Sequence, residues 1–161
     1  MKNIWQTGAG MRVKKIKIIV AAAVVFSYFM LLLYLRSIQS DFDVRIGTKQ
    51  ESYTFSADVN QDYIVEVLLD NKANRMLSSA EGSDIFLSYH LYDAQGNLLA
   101  SDHIRTPLEH NIYSGDSDWI NLHISPLKRG SYQIGIDLVQ ESVTWFQDKE
   151  QTEKRISVTV I

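Results

Sequence analysis

The run from Ile18 to Leu35, IIVAAAVVFSYFMLLLYL, constrains this chain more than any other feature of its sequence. Its only clearly polar member is Ser27. A helix rises about 1.5 Å per residue, so roughly 20 apolar residues cross a hydrocarbon core about 30 Å thick. Ile16 lengthens the run, and Lys17 can carry its ammonium to the headgroups on an aliphatic stem. Tyr34 suits the interfacial aromatic belt. A core helix would show polar residues along one face, and this run has none. A secretory signal has an apolar region of about 7–15 residues and then a small-x-small cleavage site. Leu35-Arg36-Ser37-Ile38-Gln39-Ser40 matches such a site poorly. The sequence therefore predicts an uncleaved anchor over residues 16–36.

Charge sets its direction. Residues 1–40 carry Lys2, Arg12, Lys14, Lys15, Lys17 and Arg36 and no acid, which makes +6. The remainder holds 10 basic and 19 acidic residues, which makes -9, and the two sum to the chain's -3. Lys and Arg flanking a span stay cytoplasmic. The expected arrangement is a basic cytoplasmic tail over 1–15, the anchor, a linker over 37–50 with an opening strand at Val44–Ile46, and an exported domain over 51–161. That domain is periplasmic or extracellular. An acidic exported part argues against a nucleic-acid partner. The chain has no Cys, which excludes disulfides, thiol catalysis and lipidation on Cys.

Beyond the anchor the hydrophobic period changes to two. Ile120, Leu122 and Ile124 share one face of a run, as do Tyr132, Ile134, Ile136 and Leu138, with Gln133 and Asp137 on the other side. Ile156, Val158 and Val160 repeat the pattern at the end. Strands are predicted over 52–59, 63–71, 85–93, 98–104, 118–125, 131–140 and 155–161. Turn signals separate them at Asn60-Gln61, Glu81-Gly82-Ser83, Gln95-Gly96-Asn97, Ser114-Gly115-Asp116 and Arg129-Gly130. Short strands at this spacing, with no helical stripe between them, indicate an all-β, immunoglobulin- or fibronectin-like antiparallel β-sandwich behind an N-terminal transmembrane α-helix. Gly130-Ser131-Tyr132 reads as a tyrosine corner, with the hydroxyl bonding back to upstream backbone.

Residues that could carry chemistry are scattered. His90, His103, His110 and His123 form no pair at ligand spacing, so no metal site is predicted. No nucleophile elbow, phosphate loop or dinucleotide fingerprint occurs, and no cofactor is implied. Asp102, Asp116, Asp118 and Asp137 would serve glycoside hydrolysis only if two faced each other across a cleft about 5–9.5 Å apart. No catalytic residue is assigned, and the chain is read as a non-enzyme.

Three segments stand out: Leu87-Ser88-Tyr89-His90-Leu91-Tyr92-Asp93, then Ile104-Arg105-Thr106-Pro107-Leu108, then Asp137-Leu138-Val139-Gln140-Glu141-Ser142-Val143-Thr144-Trp145-Phe146. Their order resembles a β-sandwich accessory module found fused to bacterial glycosyltransferases, methyltransferases and polysaccharide-export proteins. The likeness covers about residues 60–161. The chain departs from the pattern at Leu91, where the family favours Trp, and at Asn74-Arg75-Met76-Leu77. The resemblance implies a non-catalytic, membrane-anchored accessory or carbohydrate-binding module in cell-envelope polysaccharide assembly. Its partners would be the bilayer, through residues 16–36, and a glycan or a membrane glycosyltransferase-type protein. The alternative is a structural docking domain on a membrane complex.

The last motif has two readings. In one, Trp145 and Phe146 plug the end of the sandwich, and Arg105 pairs with Asp137 or Glu141. In the other, Trp145 joins Tyr113 or Trp119 as a flat platform for a sugar ring, and Arg105, Gln140 and Glu141 bind its hydroxyls. The candidate ligand residues are thus Arg105, Gln140, Glu141 and Trp145.

Overall fold

The computed structural model describes residues 6–37, 40–57, 61–150 and 152–161. It divides into two units, residues 1–39 and 40–161. The first contains one helix, α1, Gln6–Ser37. Its stretch Lys17–Leu35 is apolar and long enough to cross a membrane, and none of it is buried. The helix begins ten residues before the expected anchor at residue 16, so the backbone of the basic segment continues the same helix.

The second unit is built of strands in two sheets. Sheet A has the order β1 (Val44–Thr48), β3 (Tyr63–Asn71), β7 (Ser117–Ile124). Sheet B has the order β2 (Ser52–Phe55), β10 (Lys154–Val160), β8 (Gly130–Gln140), β4 (Ile85–Asp93), β5 (Leu98–Ala100). Two short strands extend it, β6 (Thr106–Pro107) on β4 and β9 (Thr144–Trp145) on β8. Every pairing is antiparallel except that of β2 with β10.

The period of two decides what is buried. Val65, Val67 and Leu69 of β3 and Ile120, Leu122 and Ile124 of β7 point to one side of sheet A. Leu87 and Tyr89 of β4, Ile134, Ile136 and Leu138 of β8, and Ile156 and Val158 of β10 do the same in sheet B. Side chains from both sheets form one apolar cluster. Burying each large aliphatic is worth about 1.5–3 kcal/mol, which is what fixes the registers. The tyrosine corner is present: the Tyr132 hydroxyl donates to the Lys128 carbonyl at 3.0 Å.

Two boundaries differ from the sequence reading. Most of the expected linker belongs to the folded unit. Asn74 N–H donates to the Ser40 carbonyl and Lys72 N–H to the Asp43 carbonyl, both at 2.9 Å, and β1 runs to Thr48. Polar composition suggested a tether there, but the backbone groups are taken up by β3 and the loop after it. The strand expected over 98–104 ends at Ala100, and the chain then runs along β4, where the Ser88 hydroxyl donates to the Ile104 carbonyl at 2.9 Å, before pairing again as β6. Asn60 of the Asn60-Gln61 turn lies outside the described residues.

Candidate functional site

In sheet B, β4 and β8 are buried on both faces. Leu87, Tyr89 and Leu91 face the apolar cluster, so Ser88 and His90 face outward; in β8, Asp137 and Gly135 lie opposite them. Yet Ser88, His90 and Asp137 are all buried. Two segments cover them. One is the stretch from Ser101 to Arg105. The other follows a tight turn at Gln140–Val143, closed by the Val143 N–H to the Gln140 carbonyl at 3.0 Å. Ser142 takes φ +59° in that turn, which brings β9 back alongside β8 and leads into a short 3-10 helix, Phe146–Asp148.

This second segment, a strap, is held at three points. Phe146 is fully buried and meets Phe42 edge-on at 5.0 Å. The Gln147 N–H donates to Asp137 Oδ2 at 3.0 Å, and the Thr152 hydroxyl donates to Asp137 Oδ1 at 2.7 Å. Asp137 therefore binds the 3-10 turn through Gln147 and the chain beyond it through Thr152, and no cation faces it in an ion pair among the described residues. Burial pushes its pKa up to about 6, against the pull of those hydrogen bonds. The Gln147 side-chain amide lies 2.7 Å from His90 Nε2. Burial lowers the His90 pKa, which favours the neutral ring, and the tautomer with Nε2 unprotonated accepts from the amide.

Trp145 lies half-buried over this layer. Its ring is 4.2 Å from that of His90, and the Arg105 guanidinium sits 5.2 Å from its centre. Arg105 is itself largely engaged, with four of its five N–H groups taken up. It pairs with Glu141 through Nε, with Asp102 at 2.7 Å, and donates to the His103 carbonyl at 2.8 Å and to Ser88 Oγ at 3.2 Å. A third group follows: Glu153 accepts from the Tyr92 hydroxyl at 2.9 Å and from Arg155 Nε at 2.5 Å. Its carboxylate lies where a Cβ on residue 135 would come within 2.6 Å, which explains a glycine in the middle of β8.

Of the four candidate ligand residues, the fold gathers Arg105, Glu141 and Trp145. Gln140 points the other way: it accepts from Arg75 at 3.0 Å and donates to the Ser83 carbonyl at 3.1 Å. Arg105 pairs with Glu141, not with Asp137. Phe146 is the apolar plug and Trp145 is not. Trp119 does not join Trp145; it lies on β7 of sheet A opposite Leu68, with the Lys49 ammonium 5.3 Å from its ring. Tyr113 sits exposed in the loop before β7. The four aspartates form no pair across a cleft: Asp102 meets Arg105, Asp137 is sealed under the strap, Asp116 precedes β7 and Asp118 lies within it opposite Leu69. Among the described residues no three His, Asp or Glu side chains are grouped to hold a metal.

Sequence reasoning did not assign His90, Gln147, Thr152 or Glu153 to this cluster. One signal was available: Asp137 interrupts the apolar run Ile134–Val139, which suits a strand covered on both faces. His103 was also unassigned; its ring stacks on Tyr89 at 4.2 Å with Nε2 buried and without a hydrogen-bond partner.

No family model matches the chain, and no curated protein matches it. Solved structures with some similarity include the CARDB domain of the PF1109 protein from Pyrococcus furiosus, in complex with di-metal ions. That match has a TM-score of 0.45 and 15% identity, and covers 77% of this chain and 93% of that one. Another is the ASH/PapD-like domain of human CEP192, with a TM-score of 0.37, 14% identity, and coverage of 76% and 84%. No residue role passes from these distant structures to this chain.

Proposed function

We propose that the protein is a single-pass cell-membrane protein that holds an immunoglobulin-like β-sandwich on the periplasmic or extracellular side and acts by docking, without catalysis, on a protein of a membrane complex. The positive-inside rule places its N-terminus in the cytoplasm. The observation that carries the docking reading is a contrast of surfaces. Around Trp145, Arg105 and Glu141 consume each other's charge, and Arg105 and His90 lie against the indole. A sugar hydroxyl would have to compete with partners that already hold most of the guanidinium. The outer face of sheet A, in contrast, keeps Trp119 47% exposed beside half-buried Leu68 and Ile64 44% exposed further along β3, with the Glu66 and Asn121 pair between them and Lys49 over the indole. An open sheet face on which exposed aromatic and aliphatic side chains alternate with polar ones suits a protein interface.

A second reading keeps the envelope-polysaccharide role and moves the sugar platform to Trp119, since an exposed indole with polar neighbours also suits a glycan. One pair of measurements separates the two. A photo-crosslinking side chain at Asn121 of the full chain in native membranes should give a protein adduct that disappears with Trp119→Asp, while the same group at Ser131 of sheet B should give none. Failure to form any adduct at Asn121, together with binding of the full chain to a glycan array, would replace docking with the carbohydrate reading.

A further inference from the structure

Helix α1 is longer than a membrane span needs. It holds 32 residues, and its apolar stretch is Lys17–Leu35. At 1.5 Å per residue the helix is about 48 Å long and the apolar stretch about 28 Å. Gln6–Ile16 continue the same helix on the basic side. Arg12, Lys14 and Lys15 lie there, Lys17 lies at the boundary, and residues 1–40 hold no acid.

The axial spacing of these four positions is informative. Arg12 precedes Lys17 by five residues, or about 7.5 Å along the axis. The headgroup layer on each side of the hydrocarbon is about 5–8 Å thick, half the difference between a bilayer of roughly 40–45 Å and a core of about 30 Å. With Lys17 at the edge of the core, all four positions fall at the depth of the lipid phosphates. At about 100° per residue, positions 12, 14, 15 and 17 fall near 0°, 200°, 300° and 140° around the helix. They ring the backbone. A helix lying flat on a membrane needs one basic face opposed to one apolar face. A ring suits a helix standing through the headgroup layer with lipid on every side.

We propose that Arg12, Lys14, Lys15 and Lys17 form a binding site for anionic phospholipid headgroups of the cytoplasmic leaflet. The proposal rests on the membrane-span reading above and goes beyond it, because a span needs basic flanks for direction but not lipid selectivity. Each Lys or Arg near an anionic surface contributes about fivefold in affinity.

The test uses the full chain in a neutral detergent, titrated with phosphatidylglycerol or phosphatidylcholine at low salt, with bound lipid counted by native mass spectrometry. Phosphatidylglycerol should bind about tenfold or more tightly than phosphatidylcholine. The preference should vanish in the Arg12→Gln, Lys14→Gln, Lys15→Gln, Lys17→Gln variant and persist when the three lysines become arginine. Equal retention of both lipids by the native chain, or an unchanged preference in the glutamine variant, would overturn the proposal. Loss of preference in the arginine variant would overturn it too, since the charge is kept. Displacement of phosphatidylglycerol by millimolar inorganic phosphate would make the ring a general phosphate site and refute the lipid. Alkaline carbonate extraction of native membranes tests the anchor separately: release of the chain into the supernatant would sink the span reading and this proposal together.

Discussion

The outer faces of the two sheets are made of similar strands and end in opposite states. In sheet A, β3 and β7 alternate buried and accessible side chains in the simplest way, and the outer row carries Ile64, Glu66, Trp119 and Asn121 toward solvent. In sheet B, β4 is buried almost throughout and β8 is buried from Ile134 to Val139, although their outer rows include Ser88, His90 and Asp137. Polar groups removed from water must find partners, and each one left without costs about 1–3 kcal/mol. Sheet B meets that demand internally, with the strap and the Ser101–Arg105 segment supplying the partners. Among the described residues of 40–161, the outer row of sheet A keeps Ile64, Glu66, Trp119 and Asn121 exposed. The polar cluster on sheet B thus behaves as part of the fold, and the docking proposal accordingly rests on the plainer face of sheet A.

The sharpest way to break this comparison is to loosen the cover. Phe146 is fully buried at the start of the 3-10 turn, so Phe146→Ala should cost about 3–5 kcal/mol in the soluble unit 40–161. Ile64→Ala on the open face should stay within about 0.5 kcal/mol. Urea unfolding of both variants checks the pair. A Phe146→Ala loss no larger than that of Ile64→Ala would mean that the strap does not stabilise sheet B.

A second test uses the buried acid. Asp137 has a pKa of about 6 in the folded chain, against about 3.9 when unfolded. Because the folded value is the higher one, the protonated carboxyl favours folding. That stability is complete below about pH 4 and is lost as pH rises through 6, up to about 3 kcal/mol in all. Asp137→Asn removes the titration. The stability of the native domain relative to this variant should therefore fall between pH 4 and pH 8. A difference independent of pH would show that Asp137 is not buried as the strap requires.

Much of this was legible in the sequence, for a physical reason. The alternation of Ile120, Leu122 and Ile124, or of Ile134, Ile136 and Leu138, follows from the strand pleat itself, so the core faces of β7 and β8 could be read directly. The apolar run of α1 was equally plain. The outer side of sheet B was not. Asp137 was read only as pointing away from the core, which is correct for the pleat and silent about cover. Whether such a face meets water depends on segments outside the strand itself, here 144–150 and 101–105, whose own patterns are too short to announce a strand or a strap. Of the candidate residues, Arg105, Glu141 and Trp145 share one place, but Gln140 shows how one residue of displacement along β8 sends a side chain to the opposite face.

The smallest expected effects separate the two indoles. Trp145 is half-buried against His90 and Arg105, while Trp119 is 47% exposed under a single lysine. A fully buried Trp→Ala change costs about 3–5 kcal/mol, so a half-buried ring with two ring-face contacts should cost about 2 kcal/mol. Trp119→Ala loses one exposed cation–π contact and little burial, which should cost less than about 1 kcal/mol. The same two variants should reverse their order in the crosslinking experiment, where Trp119 bears on docking and Trp145 does not. Thermal unfolding of the two soluble variants, compared with their adduct yields in the full chain, makes the comparison. Equal stability losses would undo the distinction between a covered face and an open one, because the two rings would then be packed alike. A large docking defect in Trp145→Ala at unchanged stability would return the interaction surface to sheet B.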